Sequence, residues 1–230
     1  MKKAVYFTFG LILLSLFTDA RSFDEGTTPS GSLSTLNSKA PNSGAKCFDG
    51  NSRLLNIGLG FGYTYYTYPS GSGVSTRNLP TISVSYEQPW KERLGPGFLG
   101  VGGYLAMKNS SYKADYTDFY GSYTVKESNN NFIIASRAMY HWDELNFEKA
   151  EVYGGFILGI RVAMSNSSGQ YSGGYSTVYG TSNYDNSDVS VGLAASFVAG
   201  ARYYFKPKFA VYGELSYGIS WLTVGLTVKI

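Results

Sequence analysis

Residues 189–205 alternate along their whole length. Val189, Val191, Leu193, Ala195, Phe197, Ala199, Ala201, Tyr203 and Phe205 fall on one side. Ser190, Gly192, Ser196, Gly200, Arg202 and Tyr204 fall on the other. Successive side chains of a strand point to opposite faces, whereas the apolar residues of an amphipathic helix recur every three or four positions. The segment is therefore a strand. Its apolar face holds no charge, and its other face is mostly small. Such a strand needs an apolar neighbour along one entire side.

The same period of two recurs along the chain. It marks strands over 54–65, about 80–90, 97–107, 131–142, 151–163, 189–205 and 209–217, and over the last ten residues, WLTVGLTVKI. In the first, Leu55, Ile57, Leu59, Phe61, Tyr63 and Tyr65 oppose Asn56, Gly58, Gly60, Gly62 and Thr64. Composition agrees. There are 28 Gly, 21 Tyr and 14 Phe but one His and one Cys, and only 15% of residues are charged. This suits an all-β chain with many turns and aromatic contacts. A net charge of +3 is too weak to indicate nucleic acid.

Three segments are expected. Residues 1–20 carry Lys2 and Lys3, an apolar run to about Phe17, and small residues Thr18 and Ala20 before the break. These are the marks of a secretory signal peptide, and the run is shorter than the ~20 residues of a membrane helix. Residues 21–53 are rich in Ser, Gly, Thr, Asn and Pro and lack periodicity, which reads as a disordered periplasmic arm. Cys47 lies in it and has no partner for an internal disulfide; it reads as an incidental thiol. Residues 54–230 hold the strands.

Eight strands of nearly membrane-spanning length, joined alternately by short and long links, follow the plan of a transmembrane barrel. A soluble sandwich would carry more Lys and Glu on its polar face. Here that face is mainly Gly, Ser, Thr and Tyr. Aromatic residues gather at strand ends, as in interfacial girdles: Tyr63, Tyr65, Trp90, Tyr140, Trp142, Tyr203 and Phe209. Lipid offers no partner to backbone amides, so the strands must close on themselves. The fold class is all-β, an eight-stranded antiparallel up-and-down transmembrane β-barrel.

The stretches LLNIGLGFGY, SRAMYHW, EVYGGFILGI, GARYYF and VYGELSYGIS, with the C-terminal strand, resemble the small eight-stranded outer-membrane barrels of Gram-negative bacteria, the OmpA-barrel and OmpX-like group. The likeness spans residues 54–230. It implies the bacterial outer membrane, reached through the signal peptide, with outer-membrane lipid as surroundings. Thr223, Gly225, Val228 and Ile230 resemble the C-terminal signal read by barrel-insertion machinery, although Ile230 stands where the group usually has Phe.

The interior of an eight-stranded barrel is just wide enough to be filled by side chains. Strand parity sends Glu87, Arg137, Arg161, Arg202 and Glu214 inward, with Tyr104, Tyr153, Tyr204, Tyr212 and Trp221. Buried charges need partners, so an Arg–Glu network across the lumen is expected; the alternative is that some of these groups lie solvated at a mouth. His141, near Asp143 and Glu144, reads as a polar residue plugging the periplasmic end rather than a catalytic base, since no nucleophile accompanies it. Gly58, Gly60 and Gly62 do not have the spacing of a nucleotide loop, and no helix follows them. No cofactor, metal site or enzyme activity is expected.

Two polar stretches remain, 108–130 and 164–188. Tyr112, Tyr116 and Tyr120 recur in the first, and Tyr171, Tyr175 and Tyr179 in the second. Residues four apart share a face of a strand, so these stretches suit long extracellular loops or hairpins that continue the wall. Tyr among Ser, Gly and Asn is also the chemistry of adaptable contact surfaces for a surface ligand. Exposed loops with no dedicated ligand have the same composition. The expected role is structural or adhesin-like, without catalysis. The alternative is a narrow conduit for small solutes, gated by the inner charges.

Overall fold

A computed structural model gives the tertiary structure and describes residues 47–62, 73–90, 93–118, 121–145, 147–173 and 183–230. The expected signal peptide and the arm up to residue 46 lie outside the described residues. Among the described residues nine strands are formed: β1 Leu54–Phe61, β2 Val74–Asn78, β3 Thr81–Pro89, β4 Gly97–Asp118, β5 Gly121–Trp142, β6 Ala150–Gly173, β7 Asn183–Lys206, β8 Phe209–Tyr217 and β9 Leu222–Lys229.

All pairings are antiparallel, and eight strands close a ring. The chain runs round it from β1 to β3 and on through β4, β5, β6, β7, β8 and β9. The seam joins β9 back to β1, with Leu54 opposite Lys229 and Phe61 opposite Leu222. The alternating C-terminal segment thus completes the barrel. β2 extends the β3 side of the wall, pairing Val74 with Ala114 and Asn78 with Ser110. Pro80, which has no amide hydrogen to give a ladder, sits between the two strands.

Of the two expectations for the polar stretches, hairpins that continue the wall describe most of both, and loops do not. β4 and β5 pair without interruption from Gly97↔Trp142 to Asp118↔Gly121. β6 and β7 pair from Ala150↔Tyr203 to Gln170↔Asn183. Each of the four strands has 22 or 24 residues, about twice the ~9–11 that cross a membrane. Ser, Asn, Tyr and Thr can pair along a ladder with both faces wet, so the polar composition that suggests loops is compatible with strands.

Burial is inverted relative to a soluble protein. Phe197 is 75% exposed and Leu193 70%, on the outside of β7. At alternate positions of the same strand, Ala194, Ser196, Val198, Arg202 and Tyr204 are buried inside. β3, β5 and β9 follow the same rule: Ile82, Ile134 and Leu226 point out, while Ser83, Ala135 and Thr227 point in. Inside, charged and amide side chains fill the end bearing the short turns, with Met139 among them between Arg137 and His141 on β5. Above them pack Tyr104, Ile133, Ala135, Ile157, Ala194, Val198 and Ile219, and higher still Lys108, Asn129 and Asn131 are buried.

One inward assignment fails. Trp221 is 54% exposed, its ring 5.6 Å from that of Tyr217. The alternation of the last ten residues suggests a strand starting at Trp221. The chain instead bends over 218–221, so parity starts only at Leu222. Ile219 turns inward in its place and is buried.

Candidate functional site

A buried charge cluster occupies the short-turn end of the lumen. Arg137 on β5 donates from Nε to Glu87 Oε2 of β3 at 3.2 Å, and from Nη2 to Glu214 Oε1 of β8 at 2.6 Å. Tyr153 on β6 donates its hydroxyl to the same Glu214 oxygen at 2.9 Å. One guanidinium thus ties together strands that are not neighbours in the ring. Arg202 on β7 donates to Glu151 of β6 and, at 3.0 Å, to Thr227 Oγ1 of β9. Thr227 donates in turn to Asn56 Oδ1 of β1 at 2.7 Å, and Asn56 to Ser85 Oγ of β3 at 3.1 Å. The ring of Tyr153 lies between the arginines, 4.7 Å from Arg202 Cζ and 5.7 Å from Arg137 Cζ.

His141 links the two halves. Its Nε2 meets Glu87 Oε1, and its Nδ1 faces Glu151 Oε2 at 3.7 Å. Three carboxylates, those of Glu87, Glu151 and Glu214, stand against two guanidiniums, with the His141 ring between Glu87 and Glu151. All of these groups are buried. A cluster so desolvated must be nearly fully paired, because an uncompensated buried charge costs several kcal/mol. Glycine supplies the space. A Cβ at Gly200 would stand 2.6 Å from the Tyr153 ring, and one at Gly100 would collide with the Glu87 carboxylate.

Of the five charges expected in the lumen, Glu87, Arg137, Arg202 and Glu214 meet here. Arg161 stands apart. It lies beside Gly192 and is eight residues up β6 from Tyr153, roughly 26 Å along the strand at ~3.3 Å per residue. Three members were overlooked in the sequence. Glu151 has the inward parity of Tyr153 and Arg161 but sits at the strand start, where it resembles a turn residue. Asn56 and Thr227 carry no charge to draw attention. His141 is buried within the cluster, and Asp143 is not beside it; Asp143 pairs with Arg93 at 3.2 Å.

The end of the arm covers the cluster. Phe48 is fully buried and stacks on His141, centroids 3.8 Å apart and planes 9° from parallel. Cys47 is buried beside Tyr204 and Ala210 rather than loose in a flexible segment, and its Sγ lies 3.8 Å from the Phe147 carbonyl oxygen. Lys229 Nζ, on the final strand, donates to the Cys47 carbonyl at 3.4 Å. Burial, helped by the charge of Glu151, pushes the Cys47 thiol up to about 11. Partial burial raises the neighbouring Asp49 carboxyl, but hydrogen bonds from Ser52 and Asn51 and the charge of Lys229 outweigh it, so its pKa falls below the ordinary value. The low-complexity arm therefore ends in an anchored residue pair, because an aromatic ring finds an imidazole to cover.

At the opposite end the wall rises as an open sheet in the order β2, β4, β5, β6, β7. β7 pairs with β8 only from Phe197 downward. Among the described residues, 183–194 therefore have a strand neighbour on one side alone, β6. On β4, the hydroxyls of Tyr112 and Tyr116 are 3.3 Å apart in solvent. The backbone of Tyr171 pairs with Tyr123 across β6 and β5. Tyr120, Tyr175 and Tyr179 lie outside the described residues. At the seam, Thr223 is buried, Gly225 faces Gly58, Val228 faces Leu55, and the Ile230 amide donates to the Arg53 carbonyl at 2.9 Å.

No family model matches the sequence, and no curated protein matches it. Among solved structures the chain is similar to Ail, the attachment invasion locus protein of Yersinia pestis, at 12% identity over 78% of this chain and 93% of that one, with a TM-score of 0.38. Ail in complex with the heparin analogue sucrose octasulfate is similar at 12% identity, over 78% and 94%, with a TM-score of 0.34. The N-terminal β-barrel domain of Pseudomonas aeruginosa OprF is similar at 14% identity, over 78% and 98%, with a TM-score of 0.35.

Proposed function

We propose that this chain is a non-enzymatic outer-membrane β-barrel of a Gram-negative cell, whose raised sheet is a surface for interaction. The observation that carries the membrane assignment is the inverted burial. A closed ring exposes Leu193, Phe197, Leu215 and Leu226 while enclosing Arg137, Arg202, Glu87 and Glu214. In water that exposure is unfavourable by roughly 1.5–3 kcal/mol for each large side chain left uncovered; in lipid it is the favourable state. The leader over 1–20 and the C-terminal pattern at Thr223, Gly225, Val228 and Ile230 fit export and insertion by the barrel machinery.

The outer surface supports the interaction reading. About half of each strand from β4 to β7 lies beyond the length that spans a bilayer. This half offers Tyr112 and Tyr116 in solvent and an open strand edge on β7, to which an extended segment of another protein could add. The contacts proposed for Tyr112 and Tyr116 extend to Tyr120, Tyr171, Tyr175 and Tyr179. The test is adherence of cells displaying the full protein, compared with cells displaying a form trimmed of the paired residues 110–129. Loss of adherence with a retained, heat-modifiable barrel supports the reading. Equal adherence by the trimmed form rejects it.

The conduit alternative requires the lumen to open. The charge cluster and the apolar layer above it fill the section between them, so passage requires Arg137 to part from Glu87 and Glu214.

A further inference from the structure

The raised wall has an outward face that continues the lipid-facing side of the barrel. No bulge interrupts the ladders of β4 to β7 in this region, so the rows can be followed upward. Met107, Phe132, Val162 and Val191 form the top apolar row, followed by Asn109, Asn130, Met164 and Val189. Arg77 enters the next row, opposite Ser111. In the row above, Lys113 of β4 stands directly opposite Lys126 of β5. Like charges directly opposite on one face of a sheet repel, so the pair concentrates positive charge at this height and favours an added anion.

The neighbours of the pair suit an anion with sugars. Arg77, Ser111, Ser128 and Ser168 surround the lysines around a hollow of about 420 Å³. The carboxylates are unevenly placed around them. Asp115 holds Lys113 at 2.7 Å, and its charge also reaches Lys126. Asp185, at the β7 end of the row, is two strands from Lys126, roughly 10 Å away at the usual strand spacing and so about a Debye length off. Glu127, also against the hollow, has the opposite strand parity.

Height above the apolar row selects the ligand. Arg77 and the lysines lie four and six residues above the Met107 row, a rise of roughly 9–14 Å for a strand tilted by ~45°. The headgroup layer of an ordinary phospholipid is only ~5–8 Å thick. We infer that Arg77, Lys113 and Lys126 bind a phosphorylated glycolipid whose sugars lift phosphate to this height from the outer leaflet. The inference rests on the outer-membrane reading above.

The test uses the refolded full-length mature barrel. Flotation with plain phosphatidylcholine vesicles first tests the membrane reading; a folded barrel that stays out of the vesicles overturns both readings. The barrel in neutral-detergent micelles is then titrated with a rough-type lipopolysaccharide carrying phosphorylated core sugars, with its dephosphorylated form, and with inorganic phosphate. Backbone amide shifts over 108–130 are the readout. The expected result is a saturable response to the phosphorylated glycolipid alone. At ~1 kcal/mol for each basic residue near an anionic surface, K113Q/K126Q should bind about 30-fold more weakly. Arg53→Gln, at the opposite end of the barrel, is the control and should bind as the parent does. Equal binding by parent and K113Q/K126Q, or an equal response to the dephosphorylated lipid, overturns the headgroup site while leaving the membrane reading in place. An equal response to inorganic phosphate overturns the lipid as its source.

Discussion

Arg137 Nη2 donates to Glu214 Oε1 at 2.6 Å, joining β5 to β8 across the lumen. These strands are separated in the ring by β6 and β7, so the bond is a strut rather than a ladder contact. Glu214→Gln leaves Arg137 short of a charge partner inside a desolvated cluster. The expected loss of stability is about 3 kcal/mol, measured by urea unfolding and refolding in a neutral bilayer. In a double-mutant cycle with Arg137→Gln, the two losses should be far from additive. Additive losses would show that the strut is energetically idle.

Conductance tests whether the cluster seals the lumen. The refolded barrel in a planar bilayer should be silent, because charged and apolar layers both fill its section. Discrete openings in Arg137→Ala but not in the parent would make the cluster a gate. Steady openings in the parent would mean that the packed lumen is not a barrier, contrary to its geometry.

Phe48 should act as a cover for His141. Phe48→Ala removes a fully buried ring and is expected to cost about 3 kcal/mol. It should also expose the imidazole to diethylpyrocarbonate. In the parent, His141 should resist this reagent until the barrel unfolds. Rapid modification of folded parent protein would show that the arm does not stay seated.

Cys47 provides a pH-dependent readout of the same segment. The thiolate is the nucleophile, and burial and the Glu151 charge hold the thiol neutral up to about pH 11 rather than the ordinary 9. Because the pKa is raised in the folded state, the thiol stays protonated across neutral and mildly alkaline pH. Alkylation by iodoacetamide should therefore be slow at pH 8, accelerate only toward pH 11, and become fast at pH 8–9 once urea releases the arm. A half-maximal rate near pH 9 in the folded protein would contradict the seated position of Cys47.

The alternation of apolar and small residues by itself determined that the chain forms strands, which face of each is apolar, and that Arg137, Arg202, Glu87 and Glu214 share the other face. Parity suffices for this because side-chain direction in a strand has a period of two. Parity cannot supply height or partners. Only closure of the ring, with its register, brought Arg137 of β5 to Glu214 of β8 and set Arg161 far up the wall from them. The same closure recruited Glu151, whose position at a strand start hides its inward direction, and sent Trp221 outward where the chain bends. The long polar stretches read equally as loops or as hairpins, because both of their faces are wet and a solvated strand has no apolar period to announce it. Phe48 looks like a stray aromatic residue in a low-complexity arm. It is buried because the folded barrel presents His141 at its end, a surface that no local sequence pattern encodes.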